Sequence, residues 1–142
     1  INGSLIISGT AVNPVLISSG RAQPAAGDWQ GIHISAGAGL VSIDYAEIRH
    51  AERGIWFDGA SGQVDHSMLA SNQVGLLASS AAIPQLGQNS FSNNYFDTQF
   101  FSQEVNPGYG APSAGFSVSE NTQGSPYTFD FDGADSTSSY GS

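Results

Sequence analysis

Apolar and polar residues alternate along this chain in short bursts rather than long runs. Leu5 and Ile7, Val15 and Ile17, Ile32 and Ile34, and Ile55 and Phe57 are each separated by one residue. A period of two puts such pairs on one face of a strand, whereas a helix would require a period near 3.6. Gly, Ser and Asn interrupt the bursts every few residues, which predicts short strands joined by tight turns.

The bursts belong to a repeat. A Gly-Ile/Leu start occurs at Gly31, Gly54 and Gly75, in steps of 23 and 21 residues. Aligning the three copies brings Ile43, Val64 and Leu86 into one column and Ala46, Ser67 and Asn89 into another. Ile48, Leu69 and Phe91 form a third, Ala51, Asn72 and Asn94 a fourth, and Ile32, Ile55 and Leu76 a fifth. Every column is apolar, small or Asn. A period in the low twenties marks a solenoid, whose units bury their apolar faces only against their neighbours. Asn72 and Asn94 are expected at equivalent turns, where Asn tolerates left-handed backbone and bonds its stacked copy. Residues 1–30 add an opening coil, with turns at Gly9-Thr10 and Asn13-Pro14. A Pro/Ala/Gly loop from Arg21 to Asp28 leads to Trp29, expected to pack the loop onto the first coil.

The frame Gly27-x-Trp29-x-Gly31-Ile32, then Ile43-x-x-Ala46-x-Ile48-x-x-Ala51-x-x-Gly54-Ile55, resembles the right-handed parallel β-helix repeats of secreted bacterial and archaeal proteins, the pectin-lyase-like superfamily in the wide sense. The resemblance covers roughly residues 1–96. It implies an all-β fold: a short right-handed parallel β-helix of about four coils, about 20 Å long at the ~4.8 Å strand spacing. It does not select an activity, since that superfamily holds polysaccharide lyases and hydrolases, tailspikes, adhesins and surface-layer proteins.

Composition narrows the partners. Three arginines and no lysine stand against 12 acids, for a net charge of −9. Nucleic acid and anionic membrane surfaces require clustered basic residues, so neither is an expected partner. No apolar run approaches the ~20 residues of a membrane span, and there is no cysteine with which to staple the fold. Sparse charge with plentiful Gly, Ser, Ala and Asn fits an extracellular or cell-surface β-structure. The start at Ile1, without Met and inside a strand-like phrase, is the expectation for a processed protein or an excised fragment.

Residues 97–142 change character and are expected to form a β-rich, aromatic C-terminal cap or wrapping arm. Ten of the 15 aromatic residues lie between Tyr95 and Tyr140. Phe116/Val118 and Tyr127/Phe129/Phe131 predict two short strands joined by Asn121–Pro126, with Ser136 to Ser142 as a flexible end.

Candidate chemistry falls on the outward columns. Asp44 and Asp65 stack on adjacent rungs, with Tyr45 and His66 in the next column. Paired carboxylates at that spacing suit acid/base cleavage of a glycosidic bond or a Ca2+ ion, and His66 suits proton transfer. The third copy has Gly87 and Gln88 there, and no basic residue is at hand to grip an acidic sugar. His33, Trp56 and Leu77 form an outward apolar column that calls for a cover: the C-terminal arm, a partner subunit, or a sugar ring on Trp56. Glu47, Arg49, His50, Glu52 and Arg53 read as a solvated face with local ion pairs. Asp130, Asp132 and Asp135 loosely resemble a calcium loop but lack its full spacing and closing Glu.

Two functions follow as expectations. One is a non-enzymatic structural or adhesive protein, its open coil ends or C-terminal arm joining copies into a filament or sheath. The other is a module that binds or cleaves a polysaccharide through Asp44, Asp65, Tyr45 and His66, with Trp56 as a platform.

Overall fold

A computed structural model describes residues 1–79 and 82–100 and, of the chain beyond, the backbone of 117–119, 122–124 and 130–131. The chain is all-β. Its first coil carries β1 (Leu5–Ser8), β2 (Val15–Ile17) and β3 (Trp29–Ser35), and its second β4 (Val41–Asp44), β5 (Ala46–Arg49) and β6 (Ala51–Asp58). The third carries β7 (Ser61–Asp65), β8 (Met68–Ala70) and β9 (Val74–Ser79), and the fourth β10 (Ile83–Gly87), β11 (Ser90–Ser92) and β12 (Phe96–Phe100). The strands stack into three parallel sheets, β1-β4-β7-β10, β2-β5-β8-β11 and β3-β6-β9-β12, hereafter the first, second and third sheets. Each gains a fifth strand from the C-terminal segment: β13 (Ser117–Ser119), β14 (Thr122–Gly124) and β15 (Asp130–Phe131) respectively. From β1 to β10 the backbone goes round about three times. This is a parallel β-solenoid.

The columns of the repeat are the registers of the sheets. Ile7, Ile43, Val64 and Leu86 pair in one ladder, and Ile17, Ile48, Leu69 and Phe91 in another. Ile32, Ile55, Leu76 and Thr98 make a third. Ile43, Ile48, Ile55, Val64, Leu69 and Leu76 are completely buried, so the core is a line of stacked aliphatic side chains. Phe57 fills the corner beside it, where Gly62 leaves room: a Cβ there would lie 2.8 Å from the ring. Full burial of each such side chain contributes about 1.5–3 kcal/mol.

Glycine opens the third sheet because neighbouring coils nearly touch there. A Cβ on Gly54 would lie 2.5 Å from the Gly75 carbonyl oxygen, and one on Gly75 2.6 Å from that of Asp97.

Trp29 packs against the core as expected and donates from Nε1 to the Arg49 carbonyl at 2.8 Å. The C-terminal segment departs from its expected layout, since β14 occupies the stretch expected to be a turn. Asp130 stands in β15, within the 127–131 stretch expected to be a strand. Asp132, Asp135 and Ser136 to Ser142 lie outside the described residues. Among the described residues no helix is long and apolar enough to cross a membrane.

Candidate functional site

Two bends per coil place the outward side chains. At the first, between the first and second sheets, Tyr45, His66 and Gln88 have φ of 53°, 50° and 58°. At the second, between the second and third sheets, His50, Ser71 and Asn93 have φ of 65°, 58° and 56°. One left-handed residue turns the chain sharply between strands, at a cost of roughly 1–2 kcal/mol for a residue with a Cβ. The left-handed positions are therefore Ser71 and Asn93, not Asn72 and Asn94.

Asn72 and Asn94 are buried, and they bond to the neighbouring coil's backbone; Asn94 bonds its stacked copy as expected, accepting from the Asn72 N–H. Asn72 Oδ1 accepts from the Ala51 N–H at 2.8 Å, and its Nδ2 donates to the Ile48 carbonyl at 3.0 Å. One amide thus closes the bend at Arg49 and His50 in the coil before it. Asn94 does the same for Asn72 N–H and Leu69 carbonyl, and Asn89 for Ser67 N–H and Val64 carbonyl. Ser67 accepts from Ala46 N–H at 3.1 Å. These amides satisfy backbone groups that a bend would otherwise leave unpaired in a buried place.

The left-handed residues point outward and stack. Tyr45 and His66 lie 4.6 Å apart with ring planes 7° from parallel. His66 Nδ1 lies 2.9 Å from Asp44 Oδ1, linking adjacent coils, and Asp65 stands in register with Asp44. The sequence had brought these four residues together, and the structure does so. The Asp44 hydrogen bond holds the His66 imidazole above its ordinary pKa, with smaller help from Gln88 and Asp65 and against a burial penalty. Burial raises the Asp65 carboxyl, and Asp44 raises it further, with His66 opposing. A cleft of about 300 Å3 beside them is lined by Glu47, Met68, Gln88 and Ser90 as well as both rings. Chemically, the bend holds a proton-sharing pair next to a carboxyl slow to ionise.

The third sheet carries a second stack. His33 and Trp56 are 4.0 Å apart and 12° from parallel. The Arg53 guanidinium carbon sits 5.0 Å from the indole centroid. Trp56 Nε1 donates to Ser79 Oγ at 2.7 Å, and His33 Nε2 lies 3.0 Å from Asp58 Oδ2. Leu77, the third member of that column, is 7% exposed. The charged cluster forms local pairs, Glu47 with Arg49 at 3.4 Å and Glu52 with Arg53 at 2.9 Å. His50 leaves it and meets Ser18 instead, Oγ to Nδ1 at 2.7 Å. Ser18 was missed because its partner is 32 residues away; the Ile17–Ile48 register, once known, brings them together.

Among the described residues no group of three or more His, Cys, Asp and Glu is placed to hold a metal ion. No protein-family model matches this chain, and neither a curated protein nor a solved structure matches it.

Proposed function

We propose that this chain is a structural or adhesive module of an extracellular or cell-surface protein, a rigid solenoid and not an enzyme of the β-helix kind. One observation carries the reading. The side chains best suited to chemistry bind each other across coils: His66 to Asp44 and Tyr45, and His33 to Asp58 and Trp56. Such ladders hold adjacent rungs in register, the role of cross-strand pairs in any sheet. Copies of the chain are the natural partners, joined through sheet edges or the C-terminal segment by strand addition, a head-to-tail contact that grows instead of closing. Negative-stain electron microscopy and light scattering of concentrated protein test this. Filaments, sheets or regular oligomers are expected; a monomer at every concentration overturns it.

A second reading is favoured by the first bend. Asp44 and Asp65 on adjacent rungs, ~4.8 Å apart in backbone, approach the separation of retaining glycosidase carboxylates, and the raised Asp65 carboxyl is suited to donate a proton. The cleft lined by their neighbours Tyr45 and His66 would take a short segment of polysaccharide. On this reading Asp65→Asn abolishes cleavage across a panel of polysaccharides, and unchanged turnover removes the site from consideration.

A further inference from the structure

The loop after β2 builds a different constellation at the second bend. Ser18 Oγ lies 2.7 Å from His50 Nδ1, within reach for direct proton transfer, and both residues are partly exposed. The contact is held from both sides. His50 is fixed by its left-handed backbone, φ 65°. The loop is pinned to the same bend by Gly27 N–H on the Ala51 carbonyl and Asp28 N–H on the His50 carbonyl. The Asp28 carboxylate, its side chain only 8% exposed, takes the Ala25 N–H at 2.9 Å and faces Arg21 at 3.5 Å. Those donors, the Ala25 N–H and the Ser19 hydroxyl foremost, keep it ionised below the usual carboxyl range, with Arg21 helping and the His50 ring near enough to feel its charge. After the serine, the backbone N–H groups of Ser19 and Gly20 donate to no group among the described residues, and the space beside Gly20 is open.

We propose that Ser18 and His50 form a nucleophile–base pair able to take an acyl group from a small ester. With the imidazole proton on Nε2, Nδ1 accepts the Ser18 hydroxyl proton as Oγ attacks the ester carbonyl carbon. The carbonyl C–O bond to the alcohol breaks, the alcohol leaves with the proton held on His50, and an acyl-serine remains. Water then attacks that ester; His50 takes its proton and returns it to Oγ as the acid leaves. The Ser19 N–H, from the residue following the nucleophile, is the donor assigned to the oxyanion, since it is committed to no other group among the described residues. Asp28 is a positioning residue: its charge favours the imidazolium that forms.

The test is covalent labelling of the folded chain with a fluorophosphonate, from which Ser18 Oγ displaces fluoride, read by mass spectrometry of peptides. An adduct on Ser18 is expected, formed about 100-fold more slowly in His50→Gln and unaffected in Ser61→Ala, a change at an exposed serine two coils away. The unaltered chain in concentrated urea supplies a control that needs no variant, and labelling there is expected to vanish. No adduct on Ser18 of the folded chain overturns the proposal, as does an adduct that forms equally fast in urea. A hydrogen bond serving only to dock the loop would give one of those two results.

Discussion

At each first bend, two consecutive residues face opposite environments. His66 is exposed and Ser67 buried; Gln88 is exposed and Asn89 buried. The buried member bonds the backbone of the preceding coil, Ser67 also donating to its own coil's Asp65 carbonyl, and the exposed one stacks on or bonds to side chains. The inner bonds replace water that the core excludes, so losing one strands a backbone group at full desolvation cost. The outer bonds compete with solvent and salt, so their worth is small. Position relative to the bend, not residue chemistry, decides which interactions hold the solenoid together.

The sharpest way to break that contrast is Asn72→Ala. It leaves the Ala51 N–H buried without its acceptor and takes the amide donor from the Ile48 carbonyl, a loss expected at about 2–4 kcal/mol. Urea denaturation followed by circular dichroism measures it. Next comes Gly54→Ala, whose Cβ would collide with the Gly75 carbonyl, a backbone atom that cannot swing aside. A loss of about 1–3 kcal/mol is expected, with the same midpoint as readout. Thr98 runs the other way. It is fully buried in the Ile32–Ile55–Leu76 column, and its Oγ1 has no hydrogen-bond partner among the described residues. Thr98→Val keeps the shape, removes the orphan hydroxyl, and is expected to raise stability by about 1 kcal/mol. A lower midpoint would mean that the hydroxyl has a partner after all.

The smallest effect belongs to the outer stack. His66 has a folded pKa above its unfolded one, so its contribution is complete below about pH 6.5 and fades as pH rises through the folded value. The Asp65 carboxyl is also raised, so it weakens the fold as it ionises above its unfolded value near 3.8. Between about pH 5 and about pH 8 the unaltered chain should lose slightly more stability than His66→Gln, and added salt should erase the difference. A difference as large as that of Asn72→Ala would remove the distinction between inner and outer columns.

The core was legible in the sequence because its apolar ladders repeat their chemistry over the three clear copies: Ile43 over Val64 over Leu86 can be aligned without knowing the fold. The outer stacks were legible by the same alignment, Asp44 with Asp65 and Tyr45 with His66. The bends were read one residue late. A column of Asn announces a turn, but not whether Asn or its predecessor takes the left-handed backbone, and here the amide is worth more as a bridge to the previous coil. The Ser18–His50 contact left no trace in the repeat, because the docked loop occurs once and has no second copy to align. The C-terminal strands were obscured by spacing. β11 and β14 are offset by 32 residues, Ser90 to Thr122, where β5 to β8 and β8 to β11, the steps of the clear repeat, are 21 and 22.

The asparagine bridges also impose an order in time. Asn72 fastens the bend at His50, Asn94 the bend at Ser71, and Asn89 the bend at His66; in each case the later coil secures the earlier one. A chain that emerges from its N-terminus therefore always carries one unfinished coil at its growing front, and each new coil locks its predecessor as it lays itself down. Folding of such a chain advances as a travelling boundary with nearest-neighbour cooperativity, and unfolding is expected to start where the next amide is missing.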